Sequence, residues 1–211
     1  MNRDSYKTFI GIWLCTTALG MAGAGRAQTR ASAAEITPLK ALGSKSAPIT
    51  MEVFSDYQCP ACGQLYMQTL RLVIDNYVSA GKVYLVHRDF PLPVHKYSRD
   101  AARWANAAAE IGKFEKVEQA LYTKRDSWEN SGNIEAVVAT VLSPAELKRA
   151  RVLAQSGKLD AVIEKDIALG GSYKVTQTPT SIVTCRGQTY PIVGVVSYPI
   201  LRQFFDSLLR Q

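Results

Sequence analysis

The stretch Val53-Phe54-Ser55-Asp56-Tyr57-Gln58-Cys59-Pro60-Ala61-Cys62 constrains the fold more than any other part of this chain. An apolar run ends in a short polar turn and delivers two cysteines, three residues apart, onto the start of a helix. Pro60 suits the first helical position, because its missing N–H would have no partner there and its φ is preset. Cys59 then falls at the N-cap, beside free backbone N–H groups and the positive end of the helix dipole. Cys62 lies one turn further on, on the same face and within disulfide reach. A thiolate at Cys59 is stabilised by this setting, whereas a Cys59–Cys62 disulfide carries no charge to stabilise. The pattern is that of a redox switch.

The flanking sequence supplies a strand on each side. Pro48–Phe54 reads as a strand, and from Pro60 to Ala80 the positions Leu65, Leu72, Val73, Tyr77 and Ala80 give a helical stripe closed by Gly81. Lys82–Arg88 is a β-rich run that ends at Asp89-Phe90-Pro91-Leu92-Pro93, which completes a βαβ unit. Residues 97–171 change character, with helical spacing and little strand signal. There Asn133 is placed to cap a helix, Ser143-Pro144-Ala145-Glu146 reads as a capping box, and Gly170-Gly171 follows Leu169 as a helix stop. Thr180–Thr184 and Gln188–Val193 then form a hairpin around Arg186-Gly187, and Ser197 opens a closing helix lined by Leu201, Phe204, Phe205 and Leu208.

The N-terminus reads as an export signal. Arg3 and Lys7 form a positive start, Phe9–Met21 an apolar centre, and Ala22-Gly23-Ala24 and Gly25-Arg26-Ala27 are competing cleavage sites. Removing it leaves Cys59, Cys62 and Cys185, an odd number that suits exchange in an oxidising compartment better than a structural framework. The net charge of +7 is interspersed rather than clustered, which argues against nucleic-acid binding. A zinc site built from Cys59, Cys62, Cys185 and His87 or His95 would lack the second close ligand pair of a zinc fold. Cys185 reads as a core thiol, and Trp104 and Trp128 as packing residues. A strand is expected near Ile36–Leu39.

Three stations occur in order: Phe54-Ser55-Asp56-Tyr57-Gln58-Cys59-Pro60-Ala61-Cys62, Arg88-Asp89-Phe90-Pro91-Leu92 and Gln177-Thr178-Pro179-Thr180. On these the chain, over roughly residues 35–210, resembles the DsbA-like thiol–disulfide oxidoreductases. The expected class is α/β: a thioredoxin-like fold with an inserted all-helical subdomain. The division is a signal peptide at 1–27, a leader at 28–47, a first thioredoxin-like half at 48–96, a helical insertion at 97–171 and a second half at 172–211.

The resemblance implies a cis peptide before Pro179, with that loop packed on the cysteine pair and the Thr178 backbone free to pair with an extended substrate. Cys59 is expected to be the nucleophile and Cys62 its buried partner, with Pro60, Ala61, Thr178 and Pro179 in support. Thiols in such settings ionise at about 3.5–7.5 instead of about 8.5. A shift of two to four units favours the reduced form by roughly 3–5 kcal/mol, which makes the disulfide an oxidant. No cofactor is expected beyond the redox-active disulfide itself.

The chain departs from that class twice. Ala61 stands where strong oxidants often carry histidine, which implies a milder oxidant. Val53 stands six residues before the first cysteine, where the class tends to hold an acid, so Asp56 and Glu52 are the nearest carboxylates for a relay. The implied function is an exported, periplasmic or otherwise extracytoplasmic, monomeric oxidase acting on reduced secreted proteins and recycled by a DsbB- or VKOR-type membrane partner. An isomerase or reductase of the same fold is the alternative, as is a non-catalytic metal- or peptide-binding module.

Overall fold

A computed structural model describes residues 36–210; the expected export signal lies outside the described residues. Five strands form one sheet in the order β1-β3-β2-β4-β5, with β1 at Ala41–Leu42, β2 at Ile49–Ser55, β3 at Val83–Asp89, β4 at Thr180–Cys185 and β5 at Gln188–Val193. Strands β2 and β3 run parallel, in register from Ile49 opposite Val83 to Ser55 opposite Asp89. Strand β4 is antiparallel to β2 on its other side. Both faces of the central strand are covered, so nearly every residue of β2 is buried, Glu52 included, although Ile49–Val53 alternates apolar and polar residues. The outer strands are blunted: β1 has two residues, and β5 carries Pro191 and exposed positions. Arg186 and Gly187 both take positive φ, 50° and 77°, as a two-residue hairpin turn requires.

The helix after the cysteines, α1, is continuous but uneven. It is α-helical over Pro60–Leu65 and Arg71–Val73, and widens to π geometry over Tyr66–Leu70 and Ile74–Val78. Each wide turn shifts the inward face. Tyr66, Leu70, Tyr77 and Val78 join Leu65 and Val73 in the core, while Leu72, expected on the stripe, is exposed.

Between β3 and β4 lie α2 (Ser98–Glu110), α3 (Phe114–Thr123), α4 (Arg125–Trp128), α5 (Ile134–Val138), α6 (Pro144–Gln155) and α7 (Asp160–Ser172); α8 (Tyr198–Arg210) closes the chain. Helix α2 is the hub of the block. Its buried Ala101, Ala102, Ala105, Ala108 and Ala109 leave only methyl groups between backbones, and α3 and α6 pack directly on it. Trp104 and Trp128 are core residues. The Ser143–Glu146 capping box forms as expected.

Four local expectations are corrected. No strand occupies Ile36–Leu39; Pro38 sits in a 3-10 turn over Thr37–Lys40, and the strand follows at Ala41. Asn133 makes no side-chain cap; its N–H instead bonds the Ser131 hydroxyl at 3.2 Å. Leu72 is the third. Helix α7 continues through Gly170 and Gly171 to Ser172. Gly170 is needed for contact rather than termination, since a Cβ there would lie 2.6 Å from the Phe90 ring and 3.1 Å from Phe54. That contact closes a small second core of Phe54, Val175 and Ile182 on the far side of the sheet.

The stretch read as a leader contributes Ile36 and Lys40 to the buried interior. The Lys40 ammonium lies between the buried carboxylates of Asp89 and Asp166, 2.6 Å from the latter. Arg88 joins Asp166 at 2.9 Å and also pairs with Glu52. Burial lowers the Lys40 pKa, but the two carboxylates overcome it and the net shift is upward. Among the described residues no helix is long and apolar enough to cross a membrane.

Candidate active site

Strand β2 ends at Ser55, and the next three residues form a turn held from several sides. The Asp56 carboxylate accepts the N–H groups of Gln58 (2.7 Å) and Leu92 (2.8 Å) and lies 2.8 Å from His95 Nδ1. The Gln58 amide donates to the Glu129 carbonyl at 2.9 Å and accepts from the Tyr97 N–H. Arg125 donates to the Gln58 carbonyl at 3.1 Å. Glu129, Tyr97 and Arg125 all belong to the helical block, which therefore clamps the residue before the first cysteine.

Cys59 takes the N-cap position of α1 with extended backbone, and Pro60 occupies the first helical turn. The Thr178–Pro179 peptide is cis and places the Thr178 carbonyl 3.5 Å from the Cys59 sulfur. Cys59, Pro60, Ala61, Cys62, Thr178 and Pro179 are thus brought to one place, from two segments more than a hundred residues apart in sequence. Cys59 keeps 7 % of its surface and Cys62 1 %, so the first sulfur is the accessible one. Both are free thiols.

The two sulfurs are electrostatically opposite. A hydrogen bond from Cys62 is the largest influence on Cys59; with the Thr178 side chain and the Cys62 and Ala61 N–H groups it outweighs burial and lowers the Cys59 pKa to about 5. Burial dominates at Cys62 and pushes its thiol well up, so it stays protonated and able to donate. The helix N-terminus thus helps, but the neighbouring thiol helps more.

The other candidates have separate tasks. Glu52 is paired with Arg88. Asp56 is occupied by turn amides and His95, and contacts the pair through its backbone N–H, 3.4 Å from the Cys62 sulfur. Cys185 is buried at the far end of β4, opposite Ile49 at the start of β2, whereas the Cys59–Cys62 pair follows the end of β2. Among the described residues no three His, Cys, Asp or Glu side chains gather as a metal site. His87 is buried inside β3, stacked on Tyr57 at 5.0 Å and 2.9 Å from Glu118. Burial would lower its pKa, but Asp89 and Glu118 overcome this and raise it to about 9.

Sequence reasoning did not find the roles of Gln58, Arg125, Ser55 and Tyr122. The Ser55 hydroxyl is 2.7 Å from the Tyr122 hydroxyl, and it offsets part of the rise that burial imposes on the Cys62 thiol. Tyr122 stacks on Tyr57 and Tyr66. Nothing in the spacing of α3 singles out Tyr122, because its neighbours come from β2 and α1.

A family model described as Thioredoxin matches residues 37–187. Among solved structures, alpha-DsbA1 of Wolbachia pipientis superposes with a TM-score of 0.70 at 19% identity, over 80% of this chain and 89% of that one. BdbD of Bacillus subtilis gives 0.69 at 20% identity, over 82% and 93%. DsbA2 of Pseudomonas aeruginosa gives 0.63 at 26% identity, over 80% and 93%. A curated relative, the protein named Na(+)/H(+) antiporter NhaA 3 of Salinispora tropica, is 31% identical over 175 residues, which is 80% of this chain. The chain spans about a quarter of that relative's length. The chain belongs to the thioredoxin family and has the fold of the DsbA-like thiol–disulfide oxidoreductases.

Proposed function

We propose that the protein is an exported oxidase that introduces disulfides into secreted proteins through the Cys59–Cys62 pair. The observation that carries this reading is the contrast between the two sulfurs: Cys59 is held as an anion near neutral pH and Cys62 as a buried thiol. A reduced form stabilised in this way makes the disulfide form an electron acceptor. A client thiolate attacks the Cys59 sulfur and the Cys59–Cys62 bond breaks. A second client thiolate then displaces Cys59 from the mixed disulfide. Pro60 sets the helix start, and the Ala61 N–H helps hold the charge on Cys59. The carbonyl of Thr178, presented by the cis Pro179 loop, is suited to pair with an extended client backbone. The partners in this reading are reduced exported proteins and a DsbB- or VKOR-type membrane protein that restores the disulfide. The chain works as a monomer outside the cytoplasm, with no cofactor beyond its own disulfide.

The test is oxidative refolding of a reduced multi-disulfide protein, together with equilibration in glutathione buffers. The parent is expected to accelerate refolding and to hold a disulfide far easier to reduce than a structural one. Cys59→Ser and Cys62→Ser are expected to lose the activity. Rearrangement of scrambled disulfides without net oxidation would assign the isomerase role instead. A redox-inert pair would end the proposal.

A further inference from the structure

The roles of Ser55 and Tyr122 at this pair are not accounted for by the helix dipole or by the Thr178 loop. At Cys62 the Asp56 N–H lies 3.4 Å from the buried sulfur, and after burial itself Cys59 and Ser55 are the side chains that bear on its ionisation. The Ser55 hydroxyl lies in turn 2.7 Å from the Tyr122 hydroxyl, which α3 brings in from the inserted block. A hydroxyl and a thiol can each donate and accept at once. Placed in series with a negative charge at one end, such groups orient in the same sense and strengthen one another.

We propose that Tyr122, Ser55, Cys62 and Cys59 form one hydrogen-bond chain, each donating to the next, through which the helical insertion helps Cys59 carry negative charge. The inference rests on the thiolate reading of Cys59 given above and extends it to residues outside the cysteine motif. Burial keeps Tyr122 neutral and therefore a donor, and keeps the Cys62 thiol protonated. The groups around the chain are Tyr57 and Tyr66, stacked on Tyr122, Glu118 one turn earlier on α3, and Asp56 with its partner His95. The two tyrosines are held neutral by their burial, and Glu118 is engaged by His87.

The same chain serves both steps of exchange. When a client thiolate attacks the Cys59 sulfur, the bonding pair of the disulfide passes to Cys62. Cys62 takes up one proton, equal to the one the client thiol released on ionising, and Ser55 and the Asp56 N–H face the charge as it develops. When a second client thiolate attacks the first client's sulfur, Cys59 departs with the bonding pair, and the Cys62 thiol donates to it. Two electrons have moved from the client thiols to the cysteine pair, and one proton has gone to solvent. Ser55 touches a reacting atom; Tyr122 is a positioning residue that acts through it.

The experiment is a thiolate titration by ultraviolet absorbance on the reduced protein, beside its equilibrium with glutathione. Tyr122→Phe keeps the aromatic stack and removes only the hydroxyl. It is expected to raise the Cys59 pKa by roughly half to one unit and to shift the equilibrium about three- to tenfold toward the disulfide. Ser55→Ala should do at least as much, the double variant no more than Ser55→Ala alone, and Ser55→Thr should titrate like the parent. Tyr122→Phe decides by itself if Ser55→Ala does not fold. An unchanged titration in Tyr122→Phe, or additive shifts in the double variant, would overturn the chain. If the parent itself ionises like free cysteine, the proposed function fails first, and the two failures are told apart by that one curve.

Discussion

Oxidising the pair should change the stability of the protein in a strongly pH-dependent way. The Cys59 pKa falls from 9.0 to about 5 on folding of the reduced chain. A depressed folded pKa contributes stability that is full above the unfolded value and disappears as pH falls through the folded one. The contribution to the reduced form is therefore about 4 kcal/mol near pH 8, about 3 near pH 7 and almost none near pH 5. Solvent at the partly accessible sulfur trims these values. The disulfide forgoes this term and gains loop-closure entropy instead, which for so short a loop is about 2 kcal/mol at every pH. The signs then cross. The oxidised protein should be the more stable near pH 5 and the reduced protein the more stable near pH 8, a swing of about 4 kcal/mol. For a domain of this size that is a swing of about 10 °C in the difference between the two melting temperatures. Thermal unfolding of both forms by circular dichroism across this range measures it, and other groups common to both forms cancel in the difference. A difference that stays constant with pH would refute the thiolate argument and the oxidase reading with it.

Other expectations concern the framework. Lys40→Met should cost about 3–5 kcal/mol in urea unfolding, because it leaves Asp89 and Asp166 buried without their shared cation; a loss below about 1 kcal/mol would show that the pair is not held as charges. Gly170→Ala should cost about 1–3 kcal/mol by forcing the Phe90 ring away, while the Cys59 titration stays as in the parent. His87 ionises at about 9 in the fold against 6.5 outside it. Its contribution, about 3 kcal/mol, is therefore full below the unfolded value and is lost as pH rises through the folded one. In the oxidised protein that alkaline loss should be present, and His87→Phe, which keeps the ring stack on Tyr57, should abolish it; an equal loss in both would refute the assignment.

What could be read without coordinates is what short-range chemistry dictates. The strand into Cys59, the proline at the helix start, the Ser143–Glu146 box and the Arg186-Gly187 turn each depend on neighbours within a few residues, and all are where the chain order puts them. The likeness of three short stations carried the fold class and the cis Pro179 loop. Periodicity misled where local geometry changed: the π turns of α1 moved the buried face away from Leu72, and Gly170 marked a ring contact instead of a helix end.

The chain itself thus determined that two sulfurs would meet at a helix start, since that needs only adjacent residues and the preferences of proline and cysteine. The largest influence on Cys59, the Cys62 thiol, is only three residues away, but the rest of the site was assembled by tertiary structure. Thr178 from the loop before β4, Arg125 at Gln58, and Tyr122 at Ser55 lie scores of residues away. So do Asp166 and Glu118, which help keep Lys40 and His87 charged inside the core. A pKa answers to whatever surrounds the atom in space, and separation along the chain carries no record of that.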